Sequence, residues 1–314
     1  MKKLGVRWMQ IFKRVINGIR RNIEQIPVLR VPTELTYKAA VEEYADNLPT
    51  LSPADFSIVQ TLQREGVCVT SLEELKIPST PLLINSAKKI IPKLITVNPS
   101  NRKEYSIHAT PAQIMEYPEI FLWGLEERLL NIVENYLGLP VAYHGSYFRR
   151  ELVNGIQIKT RRWHTDMEDY RLLKIIIYLN DVTDNDGPFQ YIPKHLTSLV
   201  KHSLNYKYGY IPDQRMLSVV TPSHWKQCIG STGTVIFVDT GSIFHRGKLP
   251  VALERFAIFF DYTSRQPKRP YYCKSSLPKD DLLLLAKNLS EPQKKCLFWH
   301  PTVVQKPTIL SQVS

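Results

Sequence analysis

Cysteine is scarce in this chain of 314 residues: its four thiols, Cys68, Cys228, Cys273 and Cys296, stand far apart, with no C-x-x-C pair. That excludes a disulfide scaffold and a zinc ribbon, and reduced thiols are expected. Long apolar runs are missing as well. The longest, such as Ile175-Ile176-Ile177-Tyr178-Leu179, have strand length and fall well short of the roughly 18 uncharged residues that span a bilayer. Met1-Lys2-Lys3 opens as a signal peptide does, but Arg7, Lys13, Arg14, Arg20 and Arg21 interrupt any apolar region, and no small-residue cleavage site follows. The expected location is cytoplasmic. With 43% hydrophobic and 22% charged residues, the composition also excludes a disordered, collagenous or coiled-coil chain.

Acidic residues are in deficit, with a formal net charge of +12, but the deficit is confined to the ends. Residues 1–30 hold eight Lys/Arg against one acidic residue, residues 266–314 hold eight against three, and the stretch between is balanced at 25 of each. A nucleic-acid partner is therefore not expected of the middle of the chain. Leu4, Trp8, Ile11, Phe12, Val15, Ile19 and Ile23 recur at helical spacing, which predicts a basic amphipathic helix over 1–30. Packing against its own domain is one expectation for this helix, and peripheral membrane contact through residues 1–25 is another.

Residues 31–139 read as a helical region packed on a core. Ser52-Pro53 and Thr110-Pro111 each place a capping side chain before a proline in the first turn, and Val67 to Leu75 reads as a short strand running into a capped turn. Past Gly138 the pattern changes to short β-branched and aromatic runs: 142–150, 155–163, 172–179, 189–192, 234–238 and 255–262. Turn residues separate them, so residues 140–265 are expected to form an antiparallel sandwich or barrel. A long insertion, 194–233, is the candidate lid, with Tyr206, Tyr208, Tyr210, His224 and Trp225. Residues 266–314 read as a basic tail with a short helix near Leu282 to Leu289.

The chemistry is sought in His164-Thr165-Asp166. If the run from Gly155 is a strand, residues i and i+2 share a face, and the imidazole and the carboxylate converge. His245, 79 residues beyond Asp166, offers a third ligand on a late strand. Two His and one carboxylate leave open positions suited to Fe(II) that must bind a co-substrate and dioxygen. Arg255, in the otherwise apolar run Arg-Phe-Ala-Ile-Phe-Phe, needs an anionic partner, and its planar fork matches the distal carboxylate of a keto acid.

The ordered series His164-Thr165-Asp166, Asn185-Asp186-Gly187-Pro188-Phe189 with Ile192-Pro193, Phe244-His245-Arg246-Gly247 and Arg255 resembles the phytanoyl-CoA dioxygenase family of Fe(II)/2-oxoglutarate-dependent oxygenases over about residues 140 to 265. The resemblance implies a double-stranded β-helix (jelly roll, cupin-like) core with flanking helices. It also implies hydroxylation of a C–H bond with release of succinate and CO2, with Fe(II), 2-oxoglutarate and dioxygen required. His164, Asp166 and His245 would hold iron, and Arg255 would hold the 2-oxoglutarate C5 carboxylate. Halogenases of that family carry a small residue in place of the carboxylate, so Asp166 points to hydroxylation or a related oxidation such as desaturation.

Tyr147, Lys174 and Tyr178 are further candidates for contact with the keto acid, since they lie on strands ahead of and behind the ligand pair. Ser146, Arg149 and Arg150 share the first of those strands, whereas Trp163 is expected on the opposite face, in the core. The expected partner is a small-molecule, acyl-carrier or CoA-linked substrate. The competing class is a non-catalytic jelly-roll binding module or pseudoenzyme, docking to membrane or nucleic acid through its basic ends. The completeness of the triad separates the two, because a pure binder has no need of all three ligands.

Overall fold

The structure is a computed structural model that describes Ile16 and residues 27–99 and 103–299. The amphipathic pattern of residues 1–25 therefore lies, apart from Ile16, outside the described residues, as does the end of the basic tail. Contacts divide the chain at Leu48/Pro49. The first unit contributes the helix Pro27–Tyr44. Among the described residues, no helix is long and apolar enough to cross a membrane.

Among the described residues of the second unit, nine strands form two antiparallel sheets. They are β1 (Val67–Ser71), β2 (Ser106–His108), β3 (Val141–Glu151), β4 (Leu173–Tyr178), β5 (Phe189–Tyr191), β6 (Lys226–Cys228), β7 (Thr234–Val238), β8 (His245–Gly247) and β9 (Arg255–Ser264). The large sheet runs β1-β7-β4-β9-β3-β2 and the small one β6-β5-β8. Beside β8, His164 forms an isolated bridge to His245 and takes the fourth place in the small sheet. The chain thus steps between sheets in the order large, small, large, small, small, large, small, large from β3 to β9, which is the double-stranded β-helix or jelly roll.

Alternation along the strands explains why this sequence folds so. β4 and β7 are buried on both faces, and they read as near-continuous apolar runs. One face (Leu173, Ile175, Ile177, Val235, Phe237, Ile258, Phe260) joins a core with the flanking helices, among them Leu129, Ile132 and Val133 of Glu127–Leu137. The other face (Ile176, Tyr178, Ile236, Val238, Ala257, Phe259) packs against Phe189 and Cys228 of the small sheet. The helices begin where their caps predict. Ser52 Oγ accepts from the Asp55 N–H at 3.2 Å, Gly66 ends that helix at φ 78°, and Thr110 and Gln113 form a capping box.

Three expectations need correcting. Residues 155–163 are not a strand but a loop closed by the short 3-10 turn Lys159–Arg161. The buried Arg161 guanidinium gathers the carbonyls of Tyr105, Leu152 and Ile156 and the Asn154 side chain, which bends the chain back on itself. The helical region supplies not only the expected strand β1, which pairs with β7, but a second one, β2, which pairs with β3. Within the insertion, residues 226–228 are β6, a strand of the small sheet. The rest folds as the helices Thr197–Ser203 and Asp213–Leu217 over an apolar cluster of Trp163, Val200, Ile211, Met216 and Phe244.

Candidate active site

His164, Asp166 and His245 come together between the two sheets, each offering a ligand atom within 4.8 Å of the others. The loop, rather than a shared strand face, achieves this. The backbone of His164 bonds reciprocally to that of His245, and the Asp166 N–H donates to Thr240 O at 2.9 Å. The carboxylate is thereby pinned to the chain just ahead of the second histidine.

The hydrogen bonding of the imidazoles fixes which nitrogen faces the centre. His164 Nδ1 bonds to Arg162 O at 2.8 Å and His245 Nδ1 to Ile243 O at 3.3 Å, so both Nδ1 atoms carry the proton and both Nε2 lone pairs are bare. The Nε2 atoms lie 3.7 and 3.9 Å from the Asp166 oxygens. Burial lowers the pKa of both histidines, that of His245 to about 3, so each is a neutral donor at physiological pH. Burial alone would raise the Asp166 pKa, but the Lys174 ammonium 2.9 Å away helps hold it well below the usual carboxylate range. Lys174 is itself held charged by Asp166 and by Asp261 at 3.5 Å.

Arg149, Glu151, Arg161, Lys174 and Arg255 line the same cavity, together with Ile176, Phe189 and Phe259. Arg255 is 2% exposed, and its Nε and Nη1 have no hydrogen-bond partner. Its cross-strand neighbour Glu151 does not relieve it, because Glu151 pairs with Arg161 at 3.5 Å. A buried guanidinium with free N–H groups calls for an anion, and a carboxylate fits its fork.

No known family profile and no curated sequence matches the chain. Similar folds do occur among solved structures. EctD from S. alaskensis in its apo form is 21% identical at a TM-score of 0.46, over 70% of this chain and 80% of that one. SnoN from nogalamycin biosynthesis, a non-heme alpha-ketoglutarate-dependent epimerase, is 13% identical at 0.45, over 68% and 83%. HygX from Streptomyces hygroscopicus, with nickel and 2-oxoglutarate bound, is 17% identical at 0.44, over 68% and 88%. The functional reading therefore rests on this chain's own geometry.

Of the remaining candidates, Lys174 meets the triad directly. The Tyr178 hydroxyl donates to Cys228 O and accepts from the Phe189 N–H, while its ring lies 5.6 Å from the Arg255 guanidinium. Tyr147 lines not this cavity but a neighbouring one. From the insertion, the Tyr210 ring lies 5.1 Å from the His164 ring, and the Tyr206 hydroxyl accepts from the Thr165 N–H. Trp163 is fully buried against Trp225, with the Arg246 guanidinium 4.4 Å from its ring. Sequence reasoning missed Arg161 and Glu151. Glu151 shares the inward side of β3 with Arg149, a signal that strand alternation carries.

Proposed function

We propose that the chain is an Fe(II)- and 2-oxoglutarate-dependent oxygenase of the phytanoyl-CoA dioxygenase type, acting in the cytoplasm on a C–H bond of a small molecule. The observation that carries this reading is the conjunction, in one buried cavity, of three convergent ligands with an unpaired guanidinium. Three ligands with open positions would suit catalytic zinc as well as iron, but a zinc hydrolase has no need of the second feature. The donor set fits the metal: two neutral imidazoles presenting Nε2 and one carboxylate kept ionised.

In this reading His164, Asp166 and His245 hold the iron, and Arg255 holds the C5 carboxylate of 2-oxoglutarate. Bound there, Fe(II) would supply activation of dioxygen, one oxygen atom being destined for the substrate and the other for the succinate formed as 2-oxoglutarate loses CO2. The chain's own residues do the rest. Arg162 O and Ile243 O keep both imidazoles in the tautomer that faces the centre, and Lys174 holds the second oxygen of Asp166 in place. Ile176, Phe189 and Phe259 form an apolar wall that keeps water from the reacting atoms, and Tyr210 covers His164 from the insertion. The experiment is 2-oxoglutarate turnover, read as succinate release, in folded His164→Ala and Asp166→Ala proteins. Loss of turnover is expected, and turnover unchanged from the parent would refute the assignment.

A further inference from the structure

A second cavity of ≈ 210 Å³ abuts the triad's, with Lys174 lining both. His144, Tyr147, Glu168, Asp261, Tyr272 and Cys273 are among its other walls. Its polar atoms are unevenly matched. The Thr263 hydroxyl gives its proton to Ser264 O at 2.9 Å, so at the 2.8 Å contact between Thr263 Oγ1 and His144 Nε2 the imidazole is the donor. His144 then carries its proton on Nε2 and leaves Nδ1 as a bare acceptor. That atom is buried and unpartnered in a residue only 5% exposed. Asp261 repeats the pattern: one oxygen faces Lys174, and the other, Oδ1, is buried without a partner.

The backbone shows how both acceptors come to face inward. Asp261 shares the inner side of β9 with Arg255 and Phe259, and pairs with Gly145 across β3. The register shifts between Tyr143 and Gly145, a β-bulge in which Gly145 has φ 107°. Tyr143 before the bulge and Phe148 after it both face the helical core, so the bulge absorbs one residue and frees His144 to turn inward. The donors on these walls are largely engaged: the Cys273 thiol contacts Arg269 O and the Tyr147 hydroxyl contacts Lys274 O.

Resting on the oxygenase reading, we infer that this cavity holds the substrate, and that the substrate is a compact metabolite bearing an ammonium or similar N–H cation, received by His144 Nδ1 and Asp261 Oδ1. Unpaired buried acceptors demand donors, and the one ammonium that faces Asp261, that of Lys174, is shared with Asp166, which leaves room for a second cation. An acyl chain would leave both unsatisfied. The volume, below the 300–1,000 Å³ or so of clefts for drug-sized ligands, suits a small molecule. Lys174 ends 2.9 Å from Asp166, so a molecule anchored here lies next to the metal ligands.

The test uses 4-amino-1-butanol and 4-hydroxybutanoate, similar in length and opposite in charge, with binding followed by saturation-transfer NMR on the metal-free protein. The amine is expected to bind and the carboxylate not to; the amine's affinity should fall about tenfold or more in Asp261→Asn and in His144→Phe. A carboxylate that binds as well as the amine, an amine that does not bind, or an amine unaffected in a folded Asp261→Asn protein would each overturn the inference. The parent protein's selectivity alone decides the matter if both variants misfold. Anaerobic formation of the Fe(II)–2-oxoglutarate absorption band by the same preparation keeps the two readings apart: a band without amine selectivity sinks this inference and leaves the oxygenase standing.

Discussion

Replacing Arg255 by methionine separates a functional cation from a structural one. A structural arginine is stabilised by its partners, and losing it costs about 3–5 kcal/mol when the pair is buried. Arg255 has no partner at Nε or Nη1, lies 2% exposed, and shares its cavity with the like charge of Arg149, while the carboxylate of Glu151 is paired with Arg161. The Arg255→Met protein, which keeps much of the side-chain volume, should therefore melt no lower than its parent without ligand. With co-substrate the order reverses. A ligand at 100 times its Kd stabilises by about 2.7 kcal/mol, and at about 2 °C per kcal/mol for a domain of this size the parent should gain about 5 °C. Methionine removes a charge-assisted, bidentate contact, and at about 3 kcal/mol or more the affinity falls at least 100-fold, abolishing the gain. The assay is anaerobic thermal unfolding with Fe(II), with and without 2-oxoglutarate. A variant that melts several degrees lower without ligand, or one that keeps the 2-oxoglutarate shift, would refute the reasoning.

Burial lowers the His144 pKa from 6.5 to about 3, so between these values the unfolded chain binds a proton that the native protein does not. Its contribution to stability is intact above pH 6.5 and is lost at about 1.4 kcal/mol per pH unit as pH falls; urea unfolding of His144→Gln from pH 6 to 4 should show a slope shallower by about that much. Equal slopes would contradict a neutral buried imidazole. Arg161→Lys keeps the charge but not the fork that gathers Tyr105 O, Leu152 O and Ile156 O, and should lower stability by about 3 kcal/mol in urea unfolding, whereas a change below 1 kcal/mol or so would show that the loop stands without it. Gly145→Ala must hold a β-carbon at φ 107° while running into Ser276 and Phe121, and an unfolding free energy lower by about 2 kcal/mol or more, seen as a lower urea midpoint, is expected. An unchanged midpoint would mean that the bulge is not as described.

The strands were legible where burial is two-sided or strictly alternating. Thr234–Val238 is the run that composition indicates, and β4 and β9 differ from it by a residue or two at their ends. Ile156 and Ile158 mimic strand alternation in residues 155–163, yet the hydrogen bonds of Arg161, all made to groups outside its own turn, decide that segment's path. The convergence of His164 and Asp166 is thus legible in the sequence, but its cause is the loop and its backbone bonds and not a shared strand face. The helix Glu291–Leu297 was missed although Ser290-Glu291-Pro292-Gln293 carries the same capping box and proline as Thr110–Gln113, because the surrounding charge suggested a tail. Asp261 could have been found by stepping in twos from Arg255. His144 could not, since a bulge shows itself only against the partner strand. Likewise Val67–Ser71 reads as a strand, but its pairing with Thr234–Val238 is a tertiary fact.

The most direct measurement of the central claim is anaerobic titration of the purified protein with Fe(II) and 2-oxoglutarate, followed by visible absorption for the weak charge-transfer band of a chelated keto acid. The band should form in the parent and in Tyr147→Phe, which lies outside the triad's cavity, and should be lost in His245→Ala and Arg255→Ala. A folded, iron-loaded parent that gives no band would contradict the account and leave a jelly roll without this chemistry.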